Sequence, residues 1–243
     1  MNIALIGYGK MGQIIEKLAI ERGHSIVGIY NSSHPFTKDH IVAADVAIEF
    51  SSPALATGHL NLCFDHQIPV VTGTTGWYGD YEPVKEACKQ KSGALFTATN
   101  FSLGVNLYFE MSKRLTRLMN QQPYRVSIEE IHHTEKKDAP SGTAITLAET
   151  VIAASDSLKN WHLSDVASEP VQANNGELPI IAKRLPGVPG THILTFDSDV
   201  DCIRLEHEAK SRLGFATGAI LAAEWICGKQ GVYGMSDLLN FED

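Results

Sequence analysis

Cysteine is scarce and scattered in this chain. Cys63, Cys88, Cys202 and Cys227 stand singly with no C-x-x-C pair among them. That spacing argues against a zinc framework and against a disulfide scaffold, and leaves them as small buried hydrophobes. Basic residues are also in deficit, 20 Lys and Arg against 28 Asp and Glu, for a formal charge of -8. Nucleic-acid binding needs a clustered Lys/Arg surface, so no such partner is expected. An anionic small ligand would need a local basic pocket. No apolar stretch approaches the roughly 18 residues of a membrane span. The opening "MNIALIGYGKMG" runs straight into apolar sequence without a basic leader, so a cytoplasmic protein without a membrane partner is expected.

What is present suffices for a large core. The chain has 243 residues, 44% of them hydrophobic, enough for one large domain or two small ones. Asn2 to Ile6 is a short apolar run ending at "GYGKMG", after which Met11, Ile14, Ile15, Leu18 and Ala19 recur at helical spacing up to Gly23. A second strand follows at Ser25 to Tyr30. Gly7-x-Gly9-x-x-Gly12 therefore opens the helix of a βαβ unit, the context that a dinucleotide fingerprint requires. Gly7 permits the tight turn, Gly9 lets backbone approach a pyrophosphate, and Gly12 lets helix pack on strand. The free N–H groups of the helix start then face the phosphates.

Where the second strand ends, a carboxylate commonly bonds the coenzyme ribose. Here Asn31, Ser32 and Ser33 stand at that point, with neither acid nor arginine, so the choice between NADH and NADPH stays open. Further strands are expected at Ala44 to Ser51, Ile68 to Gly76 and Ala94 to Ser102. Each ends in small polar residues: Ser51-Ser52, Gly73-Thr74-Thr75 and Thr99-Asn100. In a parallel sheet these ends line the ligand crevice.

The second half has another rhythm. Gly104 to Asn120 is an amphipathic helix, Arg125 to Ile131 a strand, and Ala144 to Ala154 a helix. Thr191 to Ser211 reads as a hairpin with Ile203, Leu205, His207 and Ala209 on one face. Ala167 to Thr191, polar and carrying four prolines, is expected to form loops with at most short strands. An Ala-rich helix from Leu213 to Gln230 is expected to pack back on the first domain.

Between these elements lies "EEIHHTEKKDAPSGTA", Glu129 to Ala144. His132 and Lys136 share a face whether the segment continues as strand or turns helical. Metal binding is the weakest role: adjacent histidines do not readily chelate one ion from a strand, no third ligand sits at a standard spacing, and a lysine repels cations. Glu129, Glu130, Glu135, Lys136, Lys137 and Asp138 could alternatively all be solvated. Asp138 is a candidate N-cap, with Pro140 in the first turn and Ser141-Gly142-Thr143 entering the helix. The basic pair would then lie beside a helix start that offers donors to a carboxylate.

"HHTEKKDAPSGTA" closely resembles the signature H-H-x-x-K-x-D-A-P-S-G-T-A of the 4-hydroxy-tetrahydrodipicolinate reductases, also called dihydrodipicolinate reductases, of bacterial lysine biosynthesis through diaminopimelate. "GYGKMG", "FSSP", "GTTG", "TNFSLGVN", "PGTH" and "SRLGFATGA" follow in the family order, so the resemblance covers nearly the whole chain. It implies an α/β fold in which residues 1–103 with 213–243 form a Rossmann-type dinucleotide-binding domain and 104–212 an α+β domain for substrate and tetramerisation. Hinges would lie near Ser102-Leu103 and Arg212-Leu213.

Carried over by position, the resemblance makes His132 the proton donor and Lys136 the catalytic or carboxylate-anchoring lysine, with His133, Ser141, Gly142 and Thr143 at the substrate. On the coenzyme side it implies Gly7, Tyr8, Gly9, Lys10, Met11 and Gly12 at the pyrophosphate, Asn31 at the ribose, Gly73, Thr74 and Thr75 in a second loop, and Ala98, Thr99, Asn100 and Phe101 beside the nicotinamide. NADH or NADPH would be the cofactor, a small dicarboxylate the substrate, a homotetramer the assembly, and no metal is implied. Two departures stand out: a glycine turn one residue shorter than in some relatives, and Asn31 where many members carry an acid. The rival readings are a two-domain reductase of another anionic substrate, such as an aspartate dehydrogenase, and a nucleotide-sensing regulator.

Overall fold

A computed structural model describes residues 1–40, 43–164 and 176–241. In chain order the elements run β1 (Asn2–Ile6), α1 (Lys10–Glu21), β2 (Ser25–Tyr30), β3 (Val46–Glu49), α2 (Pro53–Asp65), β4 (Val70–Thr72), α3 (Tyr81–Gln90) and β5 (Ala94–Thr97). Then come α4 (Leu103–Met119), β6 (Arg125–His132), α5 (Gly142–Ala154), β7 (Asn160–Ser164), β8 (Glu177–Arg184), β9 (Thr191–Asp197) and β10 (Cys202–Glu208). The chain closes with α6 (Leu213–Ile226), β11 (Gly231–Tyr233) and α7 (Met235–Leu239). It divides into two compact units, Met1–Leu103 with Leu213–Asp243, and Gly104–Arg212.

The first unit is built on a six-stranded sheet ordered β11-β5-β4-β3-β1-β2, every neighbouring pair parallel. Parallel strands buried on both faces need continuous apolar runs, and β1, β3 and β4 supply them. On one face Ile3, Leu5, Ile48 and Phe96 pack with Ala216, Ala219, Ile220, Ala223 and Ile226 of α6; on the other, Ala4, Ile6, Ala47 and Val70 pack with Leu60, Cys63 and Phe64 of α2. Burying a side chain as large as Ile220 stabilises by about 1.5–3 kcal/mol. The alanines of α6 do a second thing: they let the helix lie close to its neighbours. At Gly218 a Cβ would stand 1.7 Å from the Phe101 carbonyl oxygen, so only glycine fits there. β11, only three residues long, pairs with β5 at the sheet edge.

The second unit is a mixed sheet ordered β10-β9-β6-β8-β7. β10, β9 and β6 pair antiparallel, as the expected hairpin requires, while β6, β8 and β7 run parallel. β6 alternates strictly, with Val126, Ile128, Glu130 and His132 turned inward. Ile128 packs there with Leu147, Ala148 and Val151 of α5 and with Leu178, Ile180 and Leu194.

Here two expectations are corrected. Within Ala167 to Thr191, read as loops with at most short strands, the structure has β8, eight residues long and interior to the sheet; residues 167–175 lie outside the described residues. Pro179 is tolerated because it pairs only with His162 of β7, and pairing with β6 begins at Ile180. The expected strand from Ala94 to Ser102 stops at Thr97, where the chain leaves the sheet for the turn that Asn100 closes by accepting from the Ser102 amide.

Candidate active site

The carboxyl edge of the parallel sheet carries the first set of expected residues. Gly7 has φ +96°, and a Cβ there would lie 2.0 Å from the Phe50 carbonyl oxygen. Gly12 is pinned in turn, its missing Cβ 2.4 Å from the Gly7 carbonyl oxygen. Gly9, which caps α1 without a side-chain hydrogen bond, is different: a Cβ there would meet no described atom within 4 Å. Space and unpaired amide donors therefore coincide at a helix start with no acid in its first turn, an arrangement that suits a pyrophosphate. A cleft of about 530 Å³ opens at this turn, lined by Gly7, Tyr8, Gly9, Asn31, Phe36, Ser51 and His59 among others. That volume suits part of a nucleotide. Tyr8 is tied in it by a hydrogen bond from its hydroxyl to Glu16.

The other expected coenzyme residues are distributed more widely. Asn31 lines the cleft, but its Oδ1 accepts from the amides of Ser33 (2.9 Å) and His34 (3.0 Å), tying the 31–34 turn together. Lys10 opens α1 and is exposed, whereas Met11 packs against the core beneath it. Gly73 follows β4, where a Cβ would stand 2.2 Å from the Phe50 ring. Thr74 is buried: its Oγ1 accepts from the Ser51 amide at 2.8 Å and its carbonyl from Trp77 Nε1. Thr75 and Thr99 are exposed, Ala98 packs on the core, and Phe101 is buried against Phe50 and Phe96. Among these, Gly7, Tyr8, Gly9 and Asn31 share the cleft; Gly73 to Thr75 and Ala98 to Phe101 follow β4 and β5 along the same edge.

The second set lies in the other unit, at the end of β6. His132 is its last residue and turns inward, buried, with Nδ1 2.7 Å from Oε2 of Glu130, at ion-pair distance rather than in hydrogen-bond alignment. Its Nε2 faces Gly190, where a Cβ would sit 2.9 Å away. Glu130 has no exposed surface, so the alternative in which the whole charge run is solvated fails at this residue. Two residues before His132 on a strand, it shares the inward face, and its Oε1 accepts from Arg184 Nη2 at 3.1 Å. Glu129, on the other face, pairs with Lys183 at 2.5 Å.

Cross-strand register assembles the remainder. Glu130 stands opposite His192 of β9, and His132 opposite Arg184 of β8. The His132 and His192 rings meet edge to face at 5.2 Å. Ser141, not Asp138, is the N-cap of α5: its Oγ accepts from the Ala144 amide at 3.1 Å and lies 3.1 Å from His192 Nε2. Its hydroxyl is thus already engaged within the protein. Gly142 is exposed at the helix start and Thr143 half-buried, beside amides that the helix leaves unpaired.

The segment after His132 is neither strand nor helix, contrary to both geometries expected for Lys136. It turns back through a Lys136 amide bond to the His133 carbonyl. Lys136 Nζ donates to both carboxylate oxygens of Asp138, at 2.8 and 2.7 Å. Asp138 is held by this pair instead of capping α5. Arg184 fixes the whole turn, donating to the Asp138 carbonyl at 2.7 Å and to the Lys136 carbonyl at 3.4 Å. His133 is half-buried, and its Nδ1 has no hydrogen-bond partner among the described residues.

Glu130, His132 and His192 bring one donor atom each within 4.8 Å of one another, a third ligand that spacing along the chain did not reveal. Arg184 on Glu130 and Lys136 nearby set positive charge against a cation there. The cluster is better suited to handling protons.

Its titration has a sign. Burial, helped by the charge of His132, pushes His192 from 6.5 down to about 4, so the unfolded chain binds the extra proton first as pH falls. Stability from this group is complete above about pH 6.5 and is lost towards pH 4, by on the order of 3 kcal/mol. Burial works to raise Glu130, but His132, Ser141 and Arg184 outweigh it and hold the carboxyl at about 2. Its contribution is present above the ordinary carboxylate range and is lost as pH falls through that range towards 2. Urea unfolding between pH 7 and 4 is therefore expected to show a steep loss that His192→Gln flattens. An unchanged slope in the variant would refute the assignment to His192.

Comparison with known proteins divides the chain at the first of the two unit boundaries, and its second part runs on through residues 213–239, which the structure places in the first unit. Residues 1–101 match the family model described as dihydrodipicolinate reductase, N-terminus, and residues 104–239 the one described as dihydrodipicolinate reductase, C-terminus. A 4-hydroxy-tetrahydrodipicolinate reductase of Christiangramia forsetii is 46% identical over 241 residues, covering 99% of this chain and 98% of that one. One of Neisseria gonorrhoeae is 33% identical, covering 94% and 85%. The solved dipicolinate-bound dihydrodipicolinate reductase from Paenisporosarcina sp. TG-14 superposes with TM-score 0.76 at 21% identity, covering 98% of each chain, and shares the fold. These matches favour neither rival reading.

Proposed function

We propose that this chain, which belongs to the dihydrodipicolinate reductase family, reduces 4-hydroxy-tetrahydrodipicolinate, after loss of water, to tetrahydrodipicolinate, with His132 as proton donor and Lys136 as carboxylate anchor. NADH or NADPH, when bound, supplies the hydride. The first unit is the dinucleotide-binding domain, with Gly7 to Gly12, Asn31, Gly73 to Thr75 and Ala98 to Phe101 as its coenzyme segments; Met11 and Phe101 support that edge from the core. Residues 104–212 bind the substrate.

One observation carries the assignment of roles: His132 is held between Glu130 and Gly190. The carboxylate at Nδ1 fixes the ring, and the absent side chain at 190 keeps Nε2 open. Nε2 is then the atom that delivers the proton as negative charge grows on the substrate ring. Lys136 exchanges Asp138 for a substrate carboxylate, while Gly142 and Thr143 present the amides of the α5 start to it. His133 contacts the same ligand. Ser141 acts as the cap that shapes this turn. Such contacts accelerate the reaction to the extent that they tighten in the transition state.

The exposed apolar side chains of the two edge strands, Leu163 on β7 and Ile203 on β10, support assembly through this unit, and the reading includes a homotetramer working in the cytoplasm. No helix among the described residues is long and apolar enough to cross a membrane. Incubation with the product of the preceding synthase, following NADH and NADPH absorbance separately, is expected to show oxidation of at least one coenzyme. Oxidation of neither would overturn the reading.

A further inference from the structure

The lysine read as the carboxylate anchor already holds a carboxylate. Lys136 Nζ lies 2.8 and 2.7 Å from the two oxygens of Asp138, so both acceptors of the acid meet one ammonium. The partners differ in exposure: the Lys136 side chain is 20% exposed and the Asp138 side chain 65%. The hydrogen bonds from Lys136 hold the Asp138 carboxyl below its ordinary range, so the acid is ionised at neutral pH.

Arg184 shows what a permanent pair looks like at the same end of the sheet. It holds Glu130, whose carboxylate has no exposed surface, and releasing that carboxylate would leave a buried charge without a partner, at large cost. Asp138 carries no such penalty. Its carboxylate can turn into water while the more sheltered ammonium stays in place. The backbone of the turn does not depend on the pair, because Arg184 donates to the carbonyls of Lys136 at 3.4 Å and of Asp138 at 2.7 Å. Asp138 is also two residues from Lys136, so closing the pair again costs little chain entropy.

We propose that Asp138 is a built-in competitor for Lys136, an internal carboxylate that keeps background anions off the ammonium and yields to a ligand with further contacts in the 104–212 unit. The proposal rests on the reading of Lys136 as the carboxylate anchor. An ammonium left bare attracts any small anion. With Asp138 in place, phosphate or a monocarboxylate must displace a charge partner for the sake of one contact, whereas a dicarboxylate brings a second carboxylate and recovers the cost there. Every ligand of Lys136 is weakened by the fraction of time that the lysine is free. In return, affinity for the substrate hardly varies with the anions around it. Asp138 acts through Lys136 and does not itself touch the substrate.

Calorimetric titration of the full chain with pyridine-2,6-dicarboxylate, coenzyme present and ionic strength constant, tests this without turnover. Asp138→Asn keeps the shape of the acid and removes its charge. It is expected to bind the probe about three- to fivefold more tightly than the parent, the upper part of the range for an exposed ion pair. Asp138→Ala is expected to match it. Inorganic phosphate separates competition from a change in the turn: a concentration that doubles the dissociation constant of Asp138→Asn raises the parent's by only about a quarter, since the parent's lysine is already contested. In a Lys136→Met background Asp138→Asn is expected to leave the affinity unaltered, because the place competed for is gone. Three results each overturn the proposal: no tightening in Asp138→Asn and Asp138→Ala, equal phosphate sensitivity in parent and variants, or the same tightening without the lysine, the mark of plain repulsion between anions. A parent that does not bind the probe, or binds it equally well after Lys136→Met, overturns the anchor reading too. The two failures are distinguishable, because in the first Lys136→Met alone still weakens binding.

Discussion

Replacing His132 with glutamine lowers kcat by about a hundred- to ten-thousandfold, the range that a positioned general acid supplies, while coenzyme affinity stays within about twofold. The expectation follows from the separation of tasks. His132 belongs to the sheet of the 104–212 unit, and the residues of the glycine cleft belong to the other. Glutamine keeps an amide that can pair with Glu130, so the buried carboxylate is not stranded, but it has no proton to give at neutral pH. Lys136→Ala is the companion: its loss falls on substrate affinity as well as kcat, because the ammonium meets a carboxylate present in both ground and transition states. Stopped-flow measurement of hydride transfer beside equilibrium coenzyme titration separates these effects. Near-normal turnover in both variants would remove the two residues from the mechanism.

The largest effect on stability is expected at Glu130. Glu130→Ala leaves the Arg184 guanidinium without its carboxylate and His132 without its partner, in a site where the acid itself is fully buried. Breaking such a pair on one side costs about 3–5 kcal/mol; Arg184 is 21% exposed, and solvent screening puts the loss at the lower end, about 3 kcal/mol. For a chain of this size that is a Tm shift of roughly 6–12 °C. Removing both charges, as Glu130→Ala with Arg184→Met, is expected to recover much of it, since no buried charge is then left unpaired. Urea unfolding measures both. A loss under about 1 kcal/mol in the single variant would mean that water already satisfies the arginine.

The parts of this molecule legible in its sequence are those where spacing along the chain is spacing in space. The β1 run, the glycine turn and α1 span twenty residues, and the structure gives Gly7 the positive φ that a tight turn needs, Gly12 a close approach to the Gly7 carbonyl, and Gly9 open space. The Ala-rich α6 was legible as well, because its apolar surface needed a core to cover. The cluster at the end of β6 was only half legible. His132 and Lys136 stood out, but Arg184 and His192 reach the site through pairing with β8 and β9, and register between distant strands leaves no mark on spacing. Glu130 could have been found: alternation puts it on the face of His132 and Ile128. Ser141 displaces Asp138 as cap because Ala139 and Pro140 come between Asp138 and the capping position, and the Asp138 carboxylate is held by Lys136. β11 is three residues long, too short for any periodicity to show.

The return of α6 and β11 to the first unit has a consequence for synthesis. Ile3, Leu5, Ile48 and Phe96 share one sheet face with Ile15 and Ala19 of α1, but its cover is completed only when Ala216 to Ile226 arrive, and β5 gains its outer neighbour only at Gly231. On the ribosome, residues 1–103 emerge first and complete themselves last. The 104–212 unit is continuous and can close while the earlier sheet still waits with one apolar face only partly covered. That order makes the nascent first unit the part most dependent on protection from aggregation, and makes a finished first unit a report that synthesis has passed β11.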